Sequence, residues 1–336
     1  MSYVDQMSTE SPPAKRPRTH EAPGGEVLQS SRFWFYDGNI VLQAENTQYR
    51  VHGSMLSLHS KVFKDMFDVP QPHEPSEPCI EGCPLISLTD KAEDLEEVLS
   101  IFYDNIRTND MRKLTPFRRL AAILRLGKKY EIDYLRDEGL QRLRLKFPSS
   151  LDLWDESYYD CLYTVSETLR YDAINLAHEL SIQTILPALY AAVVKDYNAE
   201  DILSGLTANE KRIYLNEDAL KHCLIGRDNV LIFVQEHLRD WVGRTDIIPA
   251  PDCHSTEACQ PQKSDVILRL RAFDSSYGTI EIFNPAPALG PKFQKICPVC
   301  TKSVEQAYKD LRQELWQSLP SYFGLPKWKD LKDFDQ

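Results

Sequence analysis

The stretch FWFYDGNIVLQAENTQYRVHGSMLSLHSKVFKDMF, residues 33–67, decides the fold that this sequence predicts for its N-terminal region. Segment 39–44 is mostly apolar and β-prone, 45–47 supplies a turn, and 48–52 is typical of the returning strand of a hairpin. After Gly53, apolar residues recur at three- and four-residue steps, which predicts two short helices. Ser60 stands where the second helix begins, and its hydroxyl suits the unpaired N–H groups of a helix start.

This order of hairpin and helices resembles the start of a BTB/POZ domain. The pattern is an Asp before the first strand, an aromatic residue three before a His, a Ser eight after that His, and then a Phe and a Met-Phe pair. Those positions are Asp37, Tyr49, His52, Ser60, Phe63, Met66 and Phe67. The resemblance implies an α+β fold, in which a small sheet flanked by helices serves as an interaction module rather than a catalyst.

Later segments extend the resemblance to about residues 30–332. LISLTDKAEDLEEVLSIFYDN (85–105) resembles the third strand and following helix of the domain. Segments 120–155, 174–194 and 315–331 are similar to BTB proteins of mushroom-forming fungi (Agaricomycetes). The sequence therefore predicts a polar, Pro-rich disordered tail over 1–28, a BTB domain over 29–150, an all-α extension over 151–245 and a small Cys-containing module over 246–336.

Composition argues against nucleic acid and membrane partners. Lys and Arg total 39 against 50 Asp and Glu, a formal charge of -11, whereas binding to phosphates favours a basic balance. One predicted helix has a basic face formed by Arg118, Arg125 and Lys129, which could contact phosphates. Acidic residues follow closely in the sequence, and they favour the interpretation of this face as an ordinary solvated surface. The start is polar, and the longest apolar run, 184–194, is too short for a span and contains Pro187. We expect a soluble intracellular protein.

Two locations within the cell are compatible with the tail. Lys15, Arg16 and Arg18 form a short basic cluster of the kind found in nuclear-localisation signals. The cluster is shorter than the usual basic run, and an ordinary solvated tail is the alternative. The nucleus is therefore possible, and the cytoplasm is the location otherwise.

Four cysteines near the C-terminus predict a structural zinc site. Cys297 and Cys300 form a C-x2-C pair, which can direct two thiolates at one metal ion, and Cys253 and Cys259 are candidates for the other two ligands. His254 is a possible substitute for either of the latter. Free thiols are the alternative, as they are for Cys79 and Cys83, whose spacing of four is not the usual metal spacing. The fungal resemblance also implies two cysteine pairs here. Ser303, with Gln306 as its capping-box partner, is predicted to begin the final helix.

The sequence predicts a non-enzymatic protein that associates with itself. It contains none of the phosphate-loop, dinucleotide, zinc-protease or serine-hydrolase motifs. By resemblance to BTB dimers, Phe33, Trp34, Phe35 and Met55 are candidates for a dimer surface, with internal packing as the alternative for the aromatics.

Two other functions are alternatives to simple self-association. The first is an adaptor that joins a cullin-3 ubiquitin ligase to its substrates, although the chain has no recognisable substrate domain. The second is a nuclear regulator of transcription. Repressor-type BTB domains place a basic residue directly after the conserved His, where this chain has Gly53.

Overall fold

The computed structural model describes residues 26–69, 78–104, 116–161, 168–208, 210–270, 273–274, 279–284 and 295–334. These residues form two compact units, a sheet unit of residues 26–52 and 78–92 and a helical unit made of the rest. Each unit is described by itself. Lys15, Arg16 and Arg18 of the possible nuclear signal lie outside the described residues. The domain boundaries at residues 28, 150 and 245 stay predictions.

The sheet unit is a five-stranded mixed sheet. Its strands are β1 (Leu28–Trp34), β2 (Ile40–Ala44), β3 (Thr47–Val51), β4 (Cys79–Ile80) and β5 (Cys83–Leu88), in the order β1-β3-β2-β5-β4. The predicted hairpin is confirmed, because β2 and β3 are antiparallel with Ile40 opposite Val51 and Ala44 opposite Thr47. Strand β2 also pairs with β5 in parallel and is almost completely buried, which explains its nearly continuous apolar sequence.

Strand β1 was not predicted from the sequence. It pairs in parallel with β3, but the register shifts between Gln29 and Trp34. Only Phe33 of its seven residues is fully buried, so β1 lacks the alternation of apolar and polar residues that marks a strand. Pairing with a distant segment, rather than its own pattern, makes this stretch a strand.

The helical unit contains a long succession of helices. They are α1 (Gly53–His59), α2 (Lys61–Asp68), α3 (Ala92–Tyr103), α4 (Phe117–Lys129), α5 (Asp133–Lys146), α6 (Leu151–Cys161), α7 (Leu169–Leu180), α8 (Leu186–Asp196), α9 (Ala199–Ser204), α10 (Glu217–Gly243), α11 (Thr256–Cys259), α12 (Lys263–Arg269) and α13 (Pro298–Tyr322). The predicted α+β class is therefore confirmed: a mixed sheet with helices, followed by a helical extension. The extension predicted over 151–245 is not wholly helical, since β6 (Leu206–Ala208) and β7 (Lys211–Ile213) form a short hairpin. Beyond it, β8 (Phe273–Asp274) and β9 (Thr279–Ile280) pair antiparallel.

The core of the helical unit contains segments that are strongly apolar in the sequence. Every residue of α8 from Leu186 to Val194 is buried. The long helix α10 begins at Glu217, because the side chain of Asn216 caps it and accepts a hydrogen bond from the backbone N–H of Ala219 at 2.9 Å. No helix in the described part of the chain is both long and apolar enough to cross a membrane.

The start of the final helix was predicted wrongly. Helix α13 begins at Pro298, with Cys297 as its N-cap, rather than at Ser303. The Cys297 sulfur accepts the backbone N–H of Cys300, and Pro298 has the backbone geometry that suits a first helical residue. Ser303 instead lies inside the helix, where its hydroxyl donates to the Asp246 carbonyl at 3.3 Å. The beginning of α13 therefore carries a cysteine pair.

Candidate functional site

The sheet unit holds three of the family-pattern positions. Tyr49 is 1% exposed, and its hydroxyl donates to the Ala92 carbonyl at 2.9 Å. The His52 Nε2 lies 3.3 Å from the Asp37 Oδ1, and the His52 ring is tilted against Phe35 at 5.4 Å. These contacts connect the turn before β2 to the end of β3, so the three residues serve the sheet itself.

The helical unit holds the other four positions, which are Ser60, Phe63, Met66 and Phe67. Ser60 is the N-cap of α2, as predicted: its Oγ accepts the Phe63 backbone N–H at 3.1 Å and donates to the Tyr130 carbonyl at 2.6 Å. The Phe63 ring stacks on Tyr130 at 4.6 Å and on Phe67 at 6.0 Å. A single serine thus begins a helix and connects it to the end of α4, 70 residues later.

The four C-terminal cysteines lie together. The sulfur atoms of Cys253, Cys259, Cys297 and Cys300 are all within 4.8 Å of one another, and those of Cys253 and Cys297 are 3.7 Å apart. A tetrahedral zinc ion with Zn–S bonds of about 2.3 Å requires sulfur separations of about 3.8 Å. The group can therefore hold a metal ion such as zinc. His254 is exposed and is not one of its members.

The backbone around the cysteines is arranged to support negatively charged sulfur. Each sulfur accepts one backbone N–H, and the donors are Ser255 to Cys253 at 3.4 Å, Cys297 to Cys259 at 3.3 Å, Cys300 to Cys297 at 3.5 Å and Ala250 to Cys300 at 3.3 Å. Hydrogen bonds of this kind stabilise thiolates. Cys297 and Cys300 also lie at the positive end of the 25-residue helix α13.

The thiols differ in how readily they lose a proton. The backbone N–H of Cys300 lowers the pKa of Cys297 to about 7. Burial raises the pKa of Cys259, and it raises the pKa of Cys300 to about 12. Because a metal ion binds thiolates, its binding would release protons from the thiols that keep them. The donor set is entirely soft sulfur, which is the chemistry that zinc accepts in four-coordinate structural sites.

Comparison with known protein families gives one match, to the BTB/POZ domain, over residues 35–144. These residues form a BTB/POZ domain. The matched segment contains every family-pattern position described above. The domain is an interaction module, and no catalytic family is identified. No curated protein is similar enough to the chain to count as a match. The resemblance to fungal proteins beyond residue 144 stays a prediction.

The residues suggested for a BTB dimer surface differ in exposure. Phe33 is only 1% exposed, so it packs inside the protein, which is the alternative given above for these aromatic residues. Trp34, Phe35 and Met55 are partly exposed. Sequence reasoning missed the most exposed apolar residues near them, Tyr36 at 90% and Leu58 at 76%, because a residue's accessibility depends on its neighbours in space.

Both arginines on the basic face of α4 are paired with carboxylates. Arg118 lies 3.7 Å from both Glu93 and Glu97, and Arg125 lies 3.2 Å from Asp94 and 2.8 Å from Glu179. These ion pairs leave little positive charge to attract phosphates, in agreement with the acidic composition.

Proposed function

We propose that this chain is a non-enzymatic interaction protein whose BTB domain associates with a second copy. The observation that carries the proposal is the exposure of consecutive aromatic residues at the end of β1. Tyr36 is 90% exposed, and Trp34 and Phe35 are partly exposed. Exposed aromatic side chains are enriched at protein interfaces, since they bury large apolar areas at low entropic cost.

Helix α1 presents a second apolar surface. Met55 and Leu58 are three residues apart and so share a face of the helix, whereas Leu56 is buried. Leu58 is 76% exposed, more than any other leucine among the described residues. In the proposal each of the two surfaces contributes to self-association, and each is tested by its own variant.

Light scattering coupled to size-exclusion chromatography tests the proposal. We expect the wild-type chain to run as a dimer or larger at about 20 µM, a concentration at which a stable interface is occupied. Leu58→Asp and Tyr36→Asp should each shift the chain towards monomer. Leu203→Asp is the matched control, because Leu203 is 55% exposed on α9. A wild-type monomer, or an equal shift in the control, would contradict the proposal. Pull-down with cullin-3 tests whether the associated protein also acts as an adaptor.

We further propose that Cys253, Cys259, Cys297 and Cys300 bind one structural zinc ion. The sulfur separations and the four backbone N–H donors support this assignment. With four protein ligands the ion would have no open position for substrate, so its role would be structural rather than catalytic. It would connect the segment around residues 250–259 to the beginning of α13, and binding would add to the stability of this region.

Metal analysis and hydrogen exchange test the zinc proposal. Purified protein should contain about one zinc per chain, the stoichiometry of a single four-cysteine site. Cys297→Ser and Cys300→Ser should lose it, while Cys79→Ser, a change of an exposed cysteine outside the group, should keep it. A chelator should speed exchange in residues 250–259 and in the first turns of α13 but not in β2 and β3. Absence of metal, together with unchanged unfolding in chelator, would refute the assignment.

A further inference from the structure

Helix α10 carries a row of exposed residues along its outer side. Asp218, Ile225, Ile232 and Arg239 are seven residues apart, the spacing that places side chains in one row along a packing helix. Ile225 is 51% exposed and Ile232 is 53% exposed. The buried residues of the helix fall at other positions and are Ala219, Cys223, Gly226, Val230, Val234 and Trp241. The row is therefore separate from the face that α10 packs into its own core.

The order of charges in this row is self-complementary in one direction only. Read from either end it is charge, isoleucine, isoleucine, charge, and the two end charges are opposite. If a second α10 runs antiparallel, Asp218 meets Arg239 of the copy and Ile225 meets its Ile232. If it runs parallel in register, Asp218 meets Asp218 and Arg239 meets Arg239, which is repulsive.

We propose that this row is a homotypic contact in which the α10 helices of two copies pack antiparallel about a two-fold axis. The axis passes between Asp228 and Asn229, midway between Ile225 and Ile232 and equally midway between Asp218 and Arg239. In a two-fold contact every pair of facing residues must be centred on the same axis, and the pairs Asp218–Arg239 and Ile225–Ile232 share one midpoint along the helix. Along the helix the two isoleucines are about 10 Å apart and the two charges about 31 Å apart.

The isoleucines and the charges have different roles in this contact. Four isoleucines, two from each copy, supply most of the attraction. Asp228 is exposed on the same face, about one turn from each isoleucine, so the two Asp228 carboxylates lie near the axis and oppose the contact, although each is 3.6 Å from the guanidinium of its own Arg227. An Asp–Arg pair at each end adds little affinity because it stays in contact with water, but it selects the antiparallel direction. A contact of this size is weak by itself. If the BTB domain also self-associates, each chain carries two homotypic surfaces, and assembly proceeds to a closed tetramer or an open chain. That consequence rests on the proposed function, whereas the α10 contact does not.

Charge-swap variants of the full-length chain test the contact. We expect sedimentation equilibrium or light scattering over roughly 5–500 µM, a range suited to weak contacts, to show reversible association. Ile225→Glu/Ile232→Glu should weaken it by about tenfold or more. Asp218→Arg places two arginines opposite each other and should also weaken association. Asp218→Arg/Arg239→Asp restores opposite charges and should recover most of the loss.

Controls separate this contact from misfolding and from BTB association. Lys309→Glu changes an exposed charge on α13 and should leave association unchanged. Urea unfolding midpoints should show that each variant is folded. In the Leu58→Asp background, removal of BTB association should leave a dimer at high concentration that Ile225→Glu/Ile232→Glu converts to monomer. The proposal is overturned if the isoleucine variant associates like its parent, or if the double charge swap fails to recover what the single change lost.

Discussion

Replacing Asp155 should destabilise the protein more than replacing Arg312, although either change breaks the same ion pair. Arg312 lies on α13 and Asp155 on α6. The guanidinium makes two parallel hydrogen bonds to the carboxylate, at 2.7 Å and 2.6 Å, and its Nε donates to the Ile282 carbonyl at 3.0 Å. The Arg312 side chain is 3% exposed, whereas that of Asp155 is 31% exposed.

This difference in exposure sets the magnitudes. Asp155→Ala leaves a buried cation with no counter-charge, a situation that costs about 3–5 kcal/mol. Arg312→Met leaves the Asp155 carboxylate unpaired, but water can reach it. The Ile282 carbonyl also loses the hydrogen bond from Arg312, and we expect the two effects together to cost about 1–3 kcal/mol. The Phe283 carbonyl accepts from the Arg312 Nη2 at 3.4 Å and also from the Trp154 indole at 2.9 Å, so it keeps a donor in the variant. We expect Asp155→Ala to lose about 2 kcal/mol more than Arg312→Met.

Urea unfolding at pH 7, followed by far-UV circular dichroism, measures these losses. Trp154 and Trp316 lie 5.2 Å apart beside this ion pair, so their fluorescence provides a second, local probe. The double variant Asp155→Leu/Arg312→Met removes both charges and should be no less stable than Asp155→Ala. Equal losses in the two single variants, or a larger loss in Arg312→Met, would refute the argument from burial.

Three further predictions concern packing, protonation and the C-terminal segment. Gly226→Ala should destabilise the protein by about 1–2 kcal/mol in thermal unfolding, because the added Cβ would overlap the Phe323 ring, even though alanine favours helices. Gly243→Ala on the same helix is the control: a Cβ there has open space around it, and this variant should not be destabilised. Burial lowers the pKa of His178 from its usual 6.5. The contribution of His178 to stability should therefore be intact above pH 6.5 and fall below it, where the unfolded state takes up the proton first. His178→Gln should reduce this dependence of stability on pH. Asp333→Asn should cost about 1–3 kcal/mol in urea unfolding, because the carboxylate is 6% exposed. Its donors are the Thr184 N–H at 3.0 Å, the Thr184 hydroxyl at 2.7 Å and the Arg144 guanidinium at 2.6 Å. An unchanged midpoint in Gly226→Ala or Asp333→Asn, or an unchanged pH slope for His178→Gln, would contradict the respective prediction.

Features that depend on neighbouring residues were predictable from the sequence. The β2–β3 hairpin follows from two apolar segments around a short turn, and the cap at Ser60 follows from a side chain that reaches an N–H group three residues ahead. The C-x2-C pair at Cys297 and Cys300 was visible for the same reason. Even here the local pattern was ambiguous, because Ser303 offered a better capping motif than Cys297, yet α13 begins at Pro298 with Cys297 as its N-cap.

The opening stretch, residues 33–67, was by itself enough to predict an α+β fold and a BTB domain, since hairpin and helices are encoded by contacts within a few residues. Only the tertiary structure made β1 a strand, because its pairing partner β3 lies beyond the intervening strand. It alone brought Cys259 to Cys297, 38 residues away, and Asp155 to Arg312, 157 residues away. Such pairs depend on the path of the whole chain, which no local pattern of residues specifies.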